Sequence, residues 1–185
     1  MSQQIVWIIF NGPSSTHWHN KTLPGVVYGC NFAYRDFELD AVFAVDRFAV
    51  HAITVEKPDC ECWTKKSVLK LELNEPWKEQ TIPGIDSGSF ALEHALINYP
   101  NHLKIVIGAD GILRLNSQTV YEYKWRGNKQ PQLFTHLKHR TTVEELLKKY
   151  QQTVKFVSNC QDSKLETISY DHANSIRECN LVLSR

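Results

Sequence analysis

Three absences narrow this chain before any motif is read. No apolar run exceeds the six residues 5–10, against the ~20 that a membrane-spanning helix needs, so no membrane partner is expected. Neither sign of charge is in surplus, with 21 Lys and Arg against 20 Asp and Glu. That removes the global field by which nucleic-acid and anionic-membrane binders gather their partners. Cysteine is sparse and odd in number: Cys30, Cys60, Cys62, Cys160 and Cys179 are not the dense, even framework of a small secreted fold. Cys60-Glu61-Cys62 also lacks the two-residue spacer and second ligand pair of a zinc knuckle, and His17-Trp18-His19 reads as a solvated polar loop. With reduced thiols and no signal-like N-terminal segment, a cytoplasmic location is expected, or the host cytoplasm if the gene is viral.

What is present is an ordinary globular composition, 42% hydrophobic and 22% charged over 185 residues, which suits one domain spanning 1–185. The organising stretch is Ile5-Val6-Trp7-Ile8-Ile9-Phe10 followed by Asn11-Gly12-Pro13-Ser14. An unbroken apolar run rich in β-branched residues is a strand buried on both faces, and the polar turn marks its carboxyl end. Residues 26–30 and 41–45 repeat the pattern and close on Asn31 and Asp46. If the three strands are parallel neighbours, Asn11, Asn31 and Asp46 line one rim of the sheet, where open parallel sheets bind ligands.

The crossover over 15–24 lacks helical periodicity, and 32–37 has room for only about one and a half helical turns. Residues 47–55 suit a brief helix or loop, and 67–73 alternate like a half-buried strand; the region 57–83 is otherwise illegible. Asp86 or Ser87 caps a helix with Ala91, Leu92, Ala95, Leu96 and Tyr99 on one face and Gly88 in its first turn. A strand over 103–108 follows. Residues 112–115 and 119–125 alternate around Asn116-Ser117-Gln118 and predict a hairpin. Thr141 or Thr142 with Glu144 or Glu145 predicts a capping box, starting a helix with Val143, Leu146, Leu147 and Tyr150 on its apolar face. A strand over 154–157, a short helix near 171–176 and a terminal strand at 181–183 complete an α/β fold: a single Rossmann-like three-layer domain with a mostly parallel sheet and a β-hairpin insertion.

In chain order these pieces resemble a superfamily of Rossmann-like proteins with a nucleotide-binding rim. The resemblance rests on Asn11-Gly12-Pro13-Ser14, Gly29-Cys30-Asn31, Val45-Asp46, Asp86-Ser87-Gly88, Ile107-Gly108-Ala109-Asp110 and the late helix from Thr141. Bacterial sialyltransferases of the single-domain type look similar in this order of motifs, as does the archaeal hydroxymethylpterin diphosphokinase-like family. The match covers most of the chain outside 57–83 and the C-terminal tail. It implies a small transferase, favoured as a sialyltransferase-like glycosyltransferase, with a nucleotide or nucleotide-sugar donor, a carbohydrate acceptor and no required cofactor. Asn11, Gly12, Ser14 and Asn31 would then contact the nucleotide, with Ser87 and Gly88 beside the donor and Asp110 lining the cleft. His136 or His139, standing before the late helix, would be the general base.

Transfer of an activated sugar to a hydroxyl needs a proton acceptor and groups that stabilise the departing phosphate. Imidazole suits the first role, and Tyr121 or Tyr123 could hydrogen-bond the phosphate oxygens. Asp46 stands where the sialyltransferases have asparagine. A carboxylate there must meet a ribose hydroxyl, a base edge or a metal ion. The aspartate is closer to the pterin-kinase-like pattern, in which Asp46 and Asp110 would hold a magnesium ion bridging nucleotide phosphates. A third reading keeps the rim as a non-catalytic nucleotide-binding or interaction module. The basic segment carrying Lys124, Arg126, Lys129, Lys138, His139 and Arg140 reads as solvated surface, or as a loop closing over donor phosphates; balanced charge disfavours a nucleic-acid role.

Overall fold

The computed structural model describes residues 4–65, 68, 77–79, 86–114, 133–159, 162 and 164–183. The strands are β1 (Ile5–Ile9), β2 (Val26–Cys30), β3 (Ala41–Phe43), β4 (Glu61–Thr64), β5 (Trp77–Glu79), β6 (Leu103–Ile107), β7 (Val154–Val157) and β8 (Thr167–Ile168). They form one sheet in the order β5-β4-β3-β2-β1-β6-β7-β8, and every pairing is parallel. The helices are α1 (Arg47–Glu56), α2 (Ser87–Asn98), α3 (Asp110–Leu113), α4 (Leu133–Tyr150) and α5 (Tyr170–Leu183), with 3₁₀ turns at Pro13–Trp18 and Ala33–Arg35. This is a Rossmann-like α/β fold of three layers.

The organising strand lies at the centre. Val6, Trp7, Ile8 and Ile9 are wholly buried, each contributing about 1.5–3 kcal/mol of transfer free energy. Alternation sends Val6, Ile8 and Phe10 to one face, where they meet Phe90, Ala91, Leu92 and Ala95 of α2 and Val143 and Leu146 of α4. Ile5, Trp7 and Ile9 go to the other, against Trp18 and Ala173 of α5. On that second face α1 covers Val42 and Cys62 with Ala49, Val50 and Ile53. The chain leaves β1 toward β2 on one side and returns to β6 on the other, so the strand order reverses between β1 and β6. Ligands of open α/β sheets bind outside the carboxyl ends at such a reversal.

Several expectations change. The whole of 87–96 is buried in α2, Glu93 and His94 included, because sheet and α4 enclose the helix on more than its apolar stripe. Residues 112 and 113 are helical in α3 rather than the first arm of a hairpin; the second arm lies outside the described residues, and so does Tyr121. The late helix starts at Leu133, not Thr141. Thr142 Oγ1 bonds back to the Lys138 carbonyl at 3.1 Å, the interior habit of a helical threonine instead of an N-cap. The strand expected at 181–183 is the last turn of α5. Of 67–73 only Val68 is described, in helical conformation, and β4, β5 and β8 were not foreseen.

Candidate functional site

The rim begins where β1 and β6 release their chains side by side. Phe10 N–H donates to the Ile107 carbonyl and Gly12 N–H to the Gly108 carbonyl, both at 2.8 Å. Gly108 holds φ +73°, and a Cβ there would lie 2.3 Å from the Phe10 carbonyl oxygen. A Cβ on Gly12 would lie 2.3 Å from the Gly108 carbonyl oxygen and 2.4 Å from Asp110 Oδ2. Glycine is needed at both positions because the two loops touch backbone to backbone. Ser14 N–H donates to Asp110 Oδ2 at 2.9 Å. The Ser14 amide thus serves an internal carboxylate, and Gly12, Ser14 and Asp110 knit the reversal point together.

The polar groups beside this knot are arranged around the start of α2. Asp86 is its N-cap: Oδ1 accepts from Ser89 N–H at 3.0 Å and Oδ2 from Ser89 Oγ at 2.9 Å, while Asp86 N–H donates to Ser89 Oγ at 3.3 Å. That reciprocal box fixes the carboxylate. Ser87 Oγ donates to Asn31 Oδ1 at 2.8 Å and accepts from Val45 N–H at 3.2 Å, tying α2 to the ends of β2 and β3. Asn31 itself sits at φ 51°, a left-handed conformation that asparagine tolerates. Gly88 is present for space, since a Cβ there would lie 2.7 Å from the Phe10 ring. Asn11 Oδ1 is buried and has no hydrogen-bond partner.

Over this rim stands the first half of α4. His136, His139, Val143, Leu146 and Tyr150 follow a 3-4-3-4 spacing, so they occupy one stripe of the helix. Val143 and Leu146 pack into the core with α2. The same stripe, carried up past the rim, presents the two histidines. His139 Nε2 lies 4.0 Å from Asp86 Oδ2. His136 is buried, its Nε2 has no hydrogen-bond partner, and burial, reinforced by neighbouring His139, lowers its pKa and favours the neutral ring. Arg140 anchors this overhang. Its Nη1 and Nη2 each reach an Asp162 carboxylate oxygen at 2.9 Å, Nη1 also donates to the Ile112 carbonyl at 3.3 Å, and Nε bonds Glu144 at 2.9 Å.

The sheet thus brings Asn11, Asn31, Ser87 and the two histidines toward one end of one face. Asp46 is the N-cap residue of α1, whose body packs on the opposite face of the sheet. Asp86, which stands in the sequence as a cap and in the Asp86-Ser87-Gly88 motif without a site role of its own, belongs to the group through its approach to His139. Among the described residues no three His, Cys, Asp or Glu side chains gather as a metal site, and no helix is long and apolar enough to cross a membrane. Of the two aspartates in the magnesium reading, Asp110 already accepts from Ser14 N–H through Oδ2, and Asp46 follows β3, which is separated from β6 by β2 and β1 in the sheet. Comparison with protein-family models, curated proteins and solved structures gives no match, so the likeness to sialyltransferases and pterin diphosphokinases rests on the order of the motifs alone.

Proposed function

We propose that this chain is a small group transferase that binds a nucleotide-activated donor, in the manner of a glycosyltransferase, at the rim between α2 and α4. The observation that carries the reading is the pairing of His139 with the fixed Asp86 carboxylate, on a rim that also holds the unpartnered Asn11 oxygen. At 4.0 Å the carboxylate meets Nε2 as a nearby charge rather than as a hydrogen-bond partner, and in the proposed step the other ring nitrogen, Nδ1, takes the proton. In the step, an acceptor hydroxyl oxygen bonds to the anomeric carbon, the bond from that carbon to the donor phosphate breaks, the proton passes to His139 Nδ1, and the nucleoside phosphate leaves with the electron pair. Asn11 and Asn31 supply amide groups suited to the nucleotide, and a carbohydrate hydroxyl is the acceptor this chemistry asks for.

The test is release of nucleoside phosphate from cytidine- and uridine-linked sugars. Wild type should turn over; His139→Gln should lose about 10²–10⁴ in kcat, the usual worth of a general base, with its fold intact by circular dichroism. Asp86→Asn should lose less. Asp46→Asn should be close to neutral, whereas an enzyme using Asp46 to hold magnesium would be disabled by it. A thermal-shift screen of the same nucleotides on wild type and Asn11→Ala precedes the assay; no shift with any nucleotide would sink the reading.

A further inference from the structure

We infer that Lys65 is the anion-binding residue of this rim, the side chain that takes the donor's phosphate. This rests on the nucleotide-donor reading above and assigns the leaving group its partner. The residues that directly follow the described strands are Phe10, Asn31, Ala44, Lys65, Gly108, Ser158 and Ser169; for β5 that position lies outside the described residues. Lys65 is the one charged residue among them. Its direction follows from alternation. Cys62 packs on the α1 face and Trp63 on the α2 face, so Lys65, two residues beyond Trp63, points to the side that carries α2 and the histidine stripe.

Two further observations fit. Lys65 is half-buried, and the carboxylates of Asp86 and Glu93 of α2 favour its charge against the cost of burial. Among the described residues it has no hydrogen-bond or ion-pair partner, although Glu93 is almost wholly buried and its Oε2 is also unpartnered. Glu93 Oε1 is taken by Lys149 and Tyr150 at 3.1 and 3.0 Å. The Lys65 carbonyl accepts from Val68 N–H at 2.9 Å, so the backbone turns just after the strand and the residue is held at the rim. A half-buried ammonium with unspent donors is suited to a phosphate oxygen, which it meets as a point charge. The Ser14 amide does not fill that role, being bonded to Asp110.

The experiment is calorimetric titration of the full chain with cytidine, uridine, their monophosphates and inorganic pyrophosphate, on wild type, Lys65→Met and Lys65→Arg, with melts to verify folding. Wild type should bind a monophosphate at least tenfold more tightly than its nucleoside. Lys65→Met should abolish that ratio while nucleoside affinity stays within a factor of two, and Lys65→Arg should keep part of it. If Lys65→Met does not fold, Lys65→Gln is read in its place. A ratio that survives the loss of the charge overturns the role of Lys65 and leaves the nucleotide site standing. Pyrophosphate binding that depends on Lys65 without any nucleoside or nucleotide binding keeps the anion seat and overturns the nucleotide reading. No binding of any probe overturns both.

Discussion

At the scale of the residue, His94 shows how burial sets protonation in this molecule. It lies within α2 and packs its ring on Trp63 at 4.6 Å, Phe43 at 5.1 Å and Tyr28 at 5.3 Å between centroids. Nδ1 is buried without a partner. Burial brings the pKa from 6.5 down to about 4, against a small opposing pull from Glu61. Because the folded-state value lies below the unfolded one, stability is full above about pH 6.5 and is lost as pH falls toward 4, at up to about 1.4 kcal/mol per pH unit. His136 acts with the same sign. Urea titrations between pH 7.5 and 4.5 should show this slope, and His94→Phe should flatten it; an unchanged slope in that variant would place the proton uptake elsewhere. The sequence did not single out His94, since a histidine amid a helical apolar pattern carries no sign of the aromatic ring stack around it. Gly12 was legible as special, but the neighbour that demands a glycine was not. Its neighbour is the Gly108 loop, brought against it by a pairing of β1 with β6 across almost a hundred residues of chain.

At the scale of the element, α4 carries both what the sequence concealed and what the site depends on. Its lower half was legible as an apolar stripe, while the upper half read as a basic loop because Lys138, His139 and Arg140 mask the continuing 3-4 spacing. The structure extends the helix by eight residues, from Thr141 back to Leu133, and in doing so turns His136 and His139 from loop residues into two positions on a rigid stripe. Arg140 holds that extension to α3 and to the connection after β7. Its bidentate pair with Asp162 is largely withdrawn from solvent, at 16% and 10% side-chain exposure, and Asp162 also accepts from the Lys164 and Leu165 amides at 2.8 and 3.0 Å. The guanidinium in turn keeps the Asp162 carboxyl below its ordinary range, against the upward effect of burial. Removing one partner leaves the other charge unanswered, so Arg140→Met should cost about 2–4 kcal/mol in chemical denaturation. The same variant should weaken amide protection over 133–140 before it affects 143–150. Equal loss along the whole helix would mean that the clamp serves global stability and does not position the histidines. Arg140→Lys should restore little, since an ammonium cannot reproduce the two parallel bonds.

At the scale of the whole molecule, the central strands were legible because they are buried on both faces, and the flanking ones were not because they lack that signature. β5 and β8 are three and two residues long, and neither contains a buried residue. Edge strands this short offer little template for pairing with another chain, at the expense of any readable pattern. The order of strands, and with it the reversal between β1 and β6, is a property of pairing that local periodicity does not encode; three polar strand ends suggested a common rim, but not which loops meet there. A graded hydrogen-exchange pattern follows. Amides of β1, β2 and β6 should exchange only through global opening, those of β8 and β5 through local opening of far smaller free energy. On the reading proposed above, saturation with a bound nucleotide adds a second pattern to the first. Protection should rise at 11–12, 30–32, 86–89 and 136–140, which are distant in sequence and adjacent only at the rim, while 167–168 on the far edge stays unchanged. Uniform protection would report no more than the general stabilisation that any ligand of the native state confers. A rise confined to the opposite end of the sheet would move the site away from the rim altogether, and the His139–Asp86 pair would then have to be understood as a contact that steadies α2 against α4.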